Sequence, residues 1–489
     1  MEFSTQSGTN YWFDNKTGLS YPYNMGLTKN RIKDTVTDIN RANGNDLDII
    51  YNKKFAKKIN KLHAFMKPDH DQHPAITPAL IERTIFREGL QQLTLCVTEE
   101  CNFACKYCIY SDVYANSRNS SKKKMSFSTA RKAIDYFANL LYNGRKFNPK
   151  REFSIAFYGG EPLLNFHLIK KCVEYVKQNY PDLGFHYAIT TNGSLLNGER
   201  RAFLLENHFS IAVSLDGPED DQNRNRVFLD GTGTYSTVIN NVQEIVKTGY
   251  ENIRLLAVFD WKSDFFALDT FFSRPDIPIL SSVSMPSKED GCTYYDQFSQ
   301  IDYQKYLEMR MHAFSYYLEN SIHQKKKFSF LDYVFGIYSC STIFNVPTLV
   351  KPENYIIPFT GACIPGKKIF VDISGHYHIC ERINHTFPIG NINDGLDFQK
   401  ISMLIKNYIQ CLDICNSCQV QKTCSKCFTE FANIGKFKCA SKICDHVEMD
   451  VRDARKNAFT IGEKNPEWVE LMLNDYYSWL AKLSVTMGD

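Results

Sequence analysis

The sequence predicts an α/β protein whose core is a partial (β/α)6 barrel. The chain has 489 residues and is 43% hydrophobic, which is enough for more than one core. Apolar strands alternate with amphipathic helices between about residue 90 and residue 285, and cysteines crowd the sequence after about residue 340. The predicted units are a small N-terminal domain (1–75), the barrel (76–300), a helical bridge (301–340), a cysteine-rich domain (341–450) and a C-terminal helix (451–489).

Composition argues against several classes of function. The formal net charge of +3 is close to zero for this length, so it supports neither a nucleic-acid partner nor a membrane surface. No apolar run approaches the ~20 residues of a spanning helix, and the polar N-terminus lacks the pattern of a secretory signal. We therefore expect a cytoplasmic location. There the 16 cysteines are thiols rather than disulfides, and clustered thiols indicate metal.

The N-terminal unit combines a hairpin with a basic helix. Two aromatic runs, YWF and YPY, flank the turn sequence Asn-Lys-Thr-Gly, which predicts a β-hairpin. Between residues 48 and 66 apolar residues recur at helical spacing. The other positions of this helix carry Lys53, Lys54, Lys57, Lys58 and Lys61. A proline-rich stretch at 68–78 then predicts a linker into the barrel.

Six strand patterns alternate with helices in the barrel region. They are QLTLCV, EFSIAFY, FHYAIT, FSIAVSL, IRLLAVF and IPILSSV. Such alternation predicts a parallel sheet with right-handed crossovers. Six units are too few for a closed eight-fold barrel, so the predicted barrel is open on one side. The loops that leave the carboxyl ends of its strands should carry the chemistry.

The first of these loops holds Cys101, Cys105 and Cys108. Three thiolates on a four-iron cluster leave one iron without a protein ligand, and that open position lets the cluster bind a small molecule. The alternatives are three structural cysteines or a zinc site. Structural zinc normally has four ligands, which favours the cluster.

The C-x3-C-x2-C spacing, with Tyr107 before the third cysteine, resembles the radical S-adenosylmethionine superfamily. The resemblance implies that the amino and carboxylate groups of S-adenosylmethionine chelate the open iron of a [4Fe-4S] cluster. It further implies that reductive cleavage yields a 5′-deoxyadenosyl radical. A reductant such as flavodoxin or ferredoxin would supply the electron.

Further loops resemble the superfamily's cofactor-binding elements. Gly159-Gly160-Glu161-Pro162 looks like its GGEP element: the glycines permit close backbone approach, and the Glu161 carboxylate can receive the cofactor's ammonium. By the same resemblance Asn192, Ser214 and Asp216 face the ribose and methionine moieties, and Arg226 meets the cofactor carboxylate. Relatives often have a histidine where this chain has Gln222, so no role is carried over to that position.

The C-terminal cysteines resemble the SPASM domain, the auxiliary-cluster module of radical peptide-modifying enzymes. Cys363 is followed by Gly375 and Cys380, and then by C-x2-C-x5-C-x2-C, whose last gap is one residue shorter than in the family. The resemblance implies two auxiliary [4Fe-4S] clusters, three clusters in all. The expected ligands are Cys363, Cys380 and Cys427 for auxiliary cluster I, and Cys415, Cys418, Cys424 and a later cysteine for auxiliary cluster II.

Some ligands stay open at this point. Cys444 suits the last position of cluster II better than Cys439, because the family's final gap is usually longer. Cys340 is the candidate fourth ligand of cluster I, unless that cluster keeps an open site for a substrate thiolate. Zinc in place of both clusters is the alternative. Cys96, Cys172, Cys292 and Cys411 are expected to be small buried hydrophobes.

Glu381 follows Cys380 directly, and in relatives a carboxylate at this place can act as a general base near the substrate. The alternative interpretation is an ordinary surface glutamate. Asp372 or another carboxylate at the barrel rim could serve as the base instead.

The N-terminal unit resembles in arrangement the winged-helix-like recognition element of ribosomal-peptide maturases, which takes a leader peptide as an added strand. Its lysines could match acidic leader residues, or could simply be a solvated helix face. The three parts together resemble maturases that install thioethers in Cys-rich ribosomal peptides, of the sactipeptide and ranthipeptide kinds. The rival functions are formylglycine formation in a sulfatase, peptide epimerisation or carbon–carbon cross-linking, and a non-enzymatic peptide-binding scaffold.

Overall fold

A computed structural model gives the fold of this chain. It describes residues 1–13, 20–23, 75–114, 118, 120–287, 291–320, 328–339, 363–424, 426–439, 441–465 and 467–468. Of the sequence predictions, the basic helix at 48–66, the hairpin turn and Cys340 lie outside these residues.

The six predicted barrel strands are confirmed. They are β4 (Gln92–Thr98), β5 (Ser154–Gly159), β6 (His186–Thr191), β7 (Ser210–Ser214), β8 (Ile253–Val258) and β9 (Ile279–Ser284). All five neighbouring pairs are parallel and follow chain order. β4 is buried along its whole length, as expected of a strand covered on both faces.

Helices cover the outer face of this sheet and connect its strands. They are α1 (Pro78–Glu88), α2 (Phe127–Gly144), α3 (Phe166–Asn179), α4 (Gly198–Glu206), α5 (Glu219–Asn225), α6 (Tyr235–Val246) and α7 (Phe265–Ser273). The helix α2 begins where Ser126 accepts a hydrogen bond from the N–H of Thr129. Its apolar residues, spaced three and four apart, are buried against the sheet.

The cysteine-rich region adds four strands to the barrel sheet, which the sequence analysis did not anticipate. They are β10 (Lys368–Val371), β11 (His376–His378), β12 (Gly390–Asn391) and β13 (Gly395–Leu396). β10 pairs with β4 in parallel, with Phe370 opposite Thr94, and β11 to β13 follow in antiparallel order. The resulting sheet has ten strands. This pairing places His378 of β11 opposite Phe370, which itself lies opposite Thr94 in the middle of β4.

One face of the barrel strands stays open near their carboxyl ends. Tyr158, Thr190, Ser214 and Leu256 are only partly buried, although each lies in a strand whose other residues are mostly buried, and Ser282 is exposed. Ser214 lies opposite Leu256, and Leu256 opposite Ser282, across adjacent strands. We call the open interior bordered by these five residues the lumen.

The N-terminal hairpin is confirmed, within a three-stranded antiparallel sheet. Its strands are β1 (Glu2–Ser4), β2 (Asn10–Phe13) and β3 (Ser20–Tyr23). β2 and β3 pair with Phe13 opposite Ser20. The sheet packs against a C-terminal helix, since Phe3 and Tyr11 both contact the ring of Phe459.

The remaining elements follow the barrel in the chain. They are α8 (Gln300–Asn320), a π-helix (Asp332–Ile337), α9 (Phe398–Cys411), α10 (Phe428–Phe431), the short pair β14 (Ala432–Asn433) and β15 (Lys436–Phe437), and α11 (Ser441–Lys464). The helix α11 runs across residue 451, where the sequence predicted a boundary. Within the described ranges, no helix has the length and apolar character to cross a membrane.

Candidate functional site

The loop after β4 holds three thiols that each accept a hydrogen bond or lie near a cation. The N–H of Phe103 donates to Cys101 Sγ over 3.4 Å, and the N–H of Tyr110 donates to Cys108 Sγ over 3.4 Å. Cys105 Sγ lies 3.8 Å from Nη1 of Arg226. Donors of this kind stabilise sulfur that carries negative charge, so the loop is built for thiolates.

The surroundings of the three thiols also fit a bound cluster. Burial raises the pKa of Cys101 to about 11 and that of Cys105 to about 12, and it raises the pKa of Cys108 as well. The charges of Cys101 and Cys108 raise the pKa of Cys105 further, which shows that the three sulfurs are neighbours. Buried thiolates need a strong cationic partner, and bound iron would supply it. The chemistry of this donor set therefore suits the predicted [4Fe-4S] cluster, although these three described side chains do not stand in a metal-binding arrangement.

The loop after β5 lies directly against the start of this cysteine loop. A Cβ atom on Gly160 would stand 2.3 Å from the carbonyl oxygen of Glu100, and one on Gly159 would stand 2.0 Å from that of Thr98. Gly159 also has a positive φ of 141°. The N–H of Gly160 donates to Thr98 O over 2.9 Å. Only glycine permits this approach, which sets the position of Cys101 relative to β5.

Glu161 joins the loops after β5 and β6. Its side chain is fully buried and accepts from the N–H of Asn192 (2.7 Å), the hydroxyl of Thr191 (2.8 Å) and the N–H of Leu163 (3.0 Å). Burial raises its pKa to about 7, against the opposing effect of these hydrogen bonds. Glu161 thus joins the two loops through hydrogen bonds. Its contact with the cofactor's ammonium remains a prediction.

Asn192 ties the loop after β6 to the cysteine loop. Its Nδ2 donates to Asn102 Oδ1 over 2.8 Å and lies 3.9 Å from Cys101 Sγ. Its Oδ1 accepts from the N–H and the hydroxyl of Ser194. The structure therefore places this predicted cofactor residue beside the first thiol.

Asp216, Arg226 and Tyr107 form one buried group after β7. The Tyr107 hydroxyl donates to Asp216, and Arg226 Nε donates to Asp216 Oδ1 over 3.1 Å. The Arg226 guanidinium also lies 5.2 Å from the centroid of the Tyr107 ring. Gln222 accepts from the N–H of Asp216 through its side-chain oxygen, over 2.9 Å. Ser214, the last residue of β7, borders the lumen. The predicted residues Tyr107, Asp216 and Arg226 thus meet beside Cys105.

Glu381 lies close to the cysteine loop, although 273 residues separate it from Cys108. Burial is the main cause that raises the pKa of Tyr158, and the charges of Glu381 and Cys108 raise it further. Both groups are therefore neighbours of this lumen residue. Glu381 is itself partly exposed. Its carboxylate is therefore accessible to a proton donor.

Of the cysteines predicted for auxiliary cluster I, the structure brings Cys363 and Cys380 together, whereas no contact joins Cys427 to either of them within the described residues. Burial raises the pKa of Cys380 to about 12, with a contribution from Cys363, so these two are neighbours. Cys427 Sγ donates a hydrogen bond to Glu430 Oε2 over 3.2 Å. The chain after Cys380 reaches the same region, because Asn384 Nδ2 donates to the carbonyl of Ala432 over 3.5 Å.

Six cysteines meet in the region predicted for auxiliary cluster II. Cys415, Cys418, Cys424, Cys439 and Cys444 affect one another's pKa values, and Cys439 Sγ lies 3.8 Å from Cys444 Sγ. Cys411 hydrogen-bonds to Cys439. Across the described parts of the chain, no group of three or more His, Cys, Asp or Glu side chains is arranged to hold a metal ion.

The prediction of four buried, hydrophobic cysteines was half right. Cys96 and Cys172 are buried, whereas Cys292 and Cys411 are partly exposed. Cys411 lies in the last turn of α9, packs against the apolar core and hydrogen-bonds to Cys439, so it also belongs to the thiol group.

The Asp372 carboxylate is hydrogen-bonded to neighbouring groups of the protein. It accepts from the N–H groups of Ser374 and His376, and its Oδ2 lies 3.0 Å from Nε2 of His378. Burial alone would raise its pKa, but these hydrogen bonds lower it to about 2. Such a weak base is poorly suited to accept a proton, so Glu381 is the better candidate.

Sequence reasoning missed two side chains beside the site, Arg118 and His378. Arg118 Nε donates to the carbonyl of Ile383 over 2.9 Å and so joins the cysteine loop to the segment after Cys380. Neither residue belongs to a recognisable motif. Their roles follow only from the pairing of β10 with β4.

Comparison with known proteins agrees with this geometry. Residues 95–260 match the profile of the Radical SAM superfamily. An uncharacterised protein of Methanocaldococcus jannaschii is 41% identical over 132 residues, which are 27% of this chain and 41% of that protein. The radical SAM cyclopropyl synthase TigE of Paramaledivibacter caminithermalis is 30% identical over 170 residues, 34% of this chain and 35% of that enzyme.

A third relative is the cysteine-type anaerobic sulfatase-maturating enzyme of Clostridium novyi, 23% identical over 248 residues, 47% of this chain and 64% of that enzyme. The chain thus spans less than two thirds of the length of these three relatives. The solved structure of native anSMEcpe with bound AdoMet and Kp18Cys peptide has a TM-score of 0.54 at 20% identity, covering 78% of this chain and 99% of that one, which shows a shared fold. Residues 95–260 therefore resemble the Radical SAM superfamily in sequence, and the solved structure shares the fold.

Proposed function

We propose that this chain is a radical S-adenosylmethionine maturase that closes thioethers between cysteine sulfur and carbon in a ribosomally made, Cys-rich peptide. The observation that supports the proposal is that the charges of both Glu381 and Cys108 act on the pKa of Tyr158, a partly buried residue of β5. A carboxylate and the three thiols suited to a cluster then lie in the same region of the protein.

The chain's own residues define where the cofactors bind. Cys101, Cys105 and Cys108 hold the catalytic [4Fe-4S] cluster, and S-adenosylmethionine lies among Tyr107, Gly159, Gly160, Asn192, Ser214, Asp216 and Arg226. When bound, these groups supply hydrogen-atom abstraction and, with two auxiliary clusters, the electron transfer that the oxidation requires. Arg226, fixed by Asp216, presents its guanidinium on the same side as Cys105 and can meet a carboxylate there.

Thioether formation also fixes the task of Glu381. Each ring forms one carbon–sulfur bond and removes one hydrogen from carbon and one from sulfur. The thiol proton needs an acceptor, and Glu381 is a partly exposed carboxylate next to the lumen. Holding that carboxylate beside Tyr158 positions it for this transfer.

We further propose that a leader peptide is the partner of residues 1–75. The three-stranded sheet supports this, because among the described residues β1 and β3 are its outer strands and an edge strand can pair with an extended peptide. No charge pattern of this chain favours nucleic acid or membrane as a partner.

Formylglycine formation is the second candidate function. The likeness to the cysteine-type sulfatase-maturating enzyme of Clostridium novyi favours it. The two products differ chemically: a thioether keeps the sulfur and blocks thiol alkylation, whereas formylglycine made from cysteine has lost the sulfur.

The test is anaerobic. The reconstituted protein receives S-adenosylmethionine, dithionite and a Cys-rich precursor peptide, and 5′-deoxyadenosine and peptide mass are measured beside a Cys101→Ala, Cys105→Ala, Cys108→Ala variant. Wild-type protein should form 5′-deoxyadenosine and a peptide that has lost hydrogen and resists alkylation, and the variant should form neither. An aldehyde product would favour formylglycine formation. No 5′-deoxyadenosine from fully iron-loaded protein would reject both functions.

A further inference from the structure

Three buried polar atoms without a hydrogen-bond partner lie together beside β10. They are Oη of Tyr110, Nη2 of Arg118 and Nδ1 of His378, and no residue in the described part of the chain bonds to them. The three side chains are 6%, 8% and 0% exposed. Buried polar atoms are nearly always hydrogen-bonded, so three such atoms in one place require an explanation.

Two of the three side chains, Arg118 and His378, flank the ring of Phe370 on β10, and Tyr110 lies next to Arg118 in the chain's course, because the N–H of Ser120 donates to the Tyr110 carbonyl over 3.0 Å. The Arg118 guanidinium lies 4.9 Å from the centroid of that ring, and the centroid of the His378 ring lies 6.2 Å from it. The positive charge of Arg118 acts to lower the pKa of Tyr110 and the pKa of His378. Because Arg118 Nε is held by the carbonyl of Ile383, the position of Nη2 is set by the protein.

The hydrogen-bonding capacity of the three atoms is mixed. Arg118 Nη2 can only donate, and Tyr110 Oη can donate or accept. His378 Nε2 lies 3.0 Å from the Asp372 carboxylate and donates to it, so Nδ1 of the neutral ring is an acceptor. A ligand that satisfies all three atoms must therefore accept hydrogen bonds and also give one.

We propose that Tyr110, Arg118 and His378 form a subsite that binds an amide group of the peptide substrate. Arg118 and Tyr110 donate to the amide oxygen, and His378 accepts the amide N–H. A carboxylate has no hydrogen for His378, and an ammonium has no lone pair for Arg118. The inference rests on the proposed function and deepens it by naming what holds the peptide.

The position of this subsite suits that task. The charges of Tyr158 and Glu381, two partly exposed residues, raise the pKa of Tyr110. An amide bound there brings the adjoining part of the peptide next to Glu381. The subsite would thus orient the residue to be modified relative to the base.

Binding of a simple amide tests the proposal. N-methylacetamide is the probe, and methyl acetate, which keeps the carbonyl and lacks the N–H, is its control; ligand-observed NMR on the reconstituted full chain gives the Kd. Wild-type protein should prefer the amide to the ester by about tenfold, and Tyr110→Phe should weaken amide binding by about tenfold, since each loses one hydrogen bond.

Tyr377→Phe is the matched control. Its hydroxyl is also buried and has no partner among the described residues, but it stacks on Tyr136, with 5.6 Å between ring centroids, outside the group around Phe370. It should leave amide binding unchanged. Arg118→Lys, which removes Nη2, serves as a second variant if Tyr110→Phe lowers the melting temperature.

Equal Kd values for the amide in wild type and both variants would contradict the proposed subsite. Buried water would then be the partner of the three polar atoms. Formation of 5′-deoxyadenosine is measured separately. Its absence in wild type rejects the proposed function, whereas unchanged amide binding in Tyr110→Phe with normal 5′-deoxyadenosine formation rejects only the subsite.

Discussion

The backbone N–H of Asn192 donates to Oε2 of Glu161 over 2.7 Å and thereby joins the loops that leave two adjacent barrel strands. Glu161 is fully buried and nonetheless accepts three hydrogen bonds from two loops. A side chain in this position affects the stability of the site and its dependence on pH.

Stability should fall as pH rises through the titration of Glu161. Burial raises its folded-state pKa from 4.5 to about 7, so folding favours the protonated form. Its contribution is fully present below pH 4.5 and is lost as pH rises to about 7, by roughly 3 kcal/mol at most. Melting temperatures of wild type and Glu161→Gln between pH 5 and pH 8 check this. A difference between the two proteins that does not vary with pH would contradict it.

Gly160→Ala should displace the cysteine loop. The new methyl group would meet the carbonyl oxygen of Glu100 at 2.3 Å, and backbone cannot move aside cheaply. We expect a loss of about 3 kcal/mol or more in unfolding free energy and a fall in bound iron. Gly184→Ala is the control, because nothing lies within 4 Å of its added methyl group, although its φ of +62° is one that alanine rarely adopts. A loss in Gly160→Ala no larger than that in Gly184→Ala would contradict the prediction, because the close contact at Gly160 would then have no effect.

Substituting Arg226 should lower the free energy of unfolding more than substituting an exposed cation does. Arg226→Met leaves buried Asp216 without its ion-pair partner, which typically costs about 3–5 kcal/mol. Adding Asp216→Asn should recover part of this loss, because the unpaired charge is gone. Lys170→Met, which breaks an exposed pair with Glu199, should leave the melting temperature unchanged. Additive effects of the Arg226 and Asp216 substitutions would argue against the pair.

Iron content distinguishes the ligands of the C-terminal thiol group. In a background that lacks Cys101, Cys105 and Cys108, Cys415→Ala and Cys444→Ala should each remove roughly four irons per chain, the content of one cluster. Cys411→Ala should retain the iron, because its contact is to Cys439 rather than to the predicted ligands. If Cys444→Ala retained its iron and Cys439→Ala lost it, Cys439 rather than Cys444 would be the last ligand of auxiliary cluster II.

Glu381→Gln should separate cofactor cleavage from product formation. The variant keeps the shape of the side chain but cannot accept a proton, so modified peptide should fall by about a hundredfold or more while 5′-deoxyadenosine still forms. Asp372→Asn is the comparison, because the other candidate carboxylate is engaged with His378. A larger loss of product in Asp372→Asn than in Glu381→Gln would move the base to Asp372.

The sequence by itself determined the six barrel strands, the N-terminal hairpin and the cysteine loop after β4. These features depend on local patterns. A strand buried on both faces reads as a short apolar run, and glycine pairs such as Gly159 and Gly160 mark where a strand ends in a close approach. Local chemistry of this kind is visible without knowledge of the fold.

Only the tertiary structure decided which distant side chains meet. The parallel pairing of β10 with β4 brings Glu381, His378 and Arg118 to the cysteine loop, and the course of α9 brings Cys411 to Cys439. It also buried Glu161, whose side chain accepts a hydrogen bond from the N–H of Asn192. Strand order and hydrogen bonds between remote residues arise from burial of the whole sheet, and no local pattern encodes them.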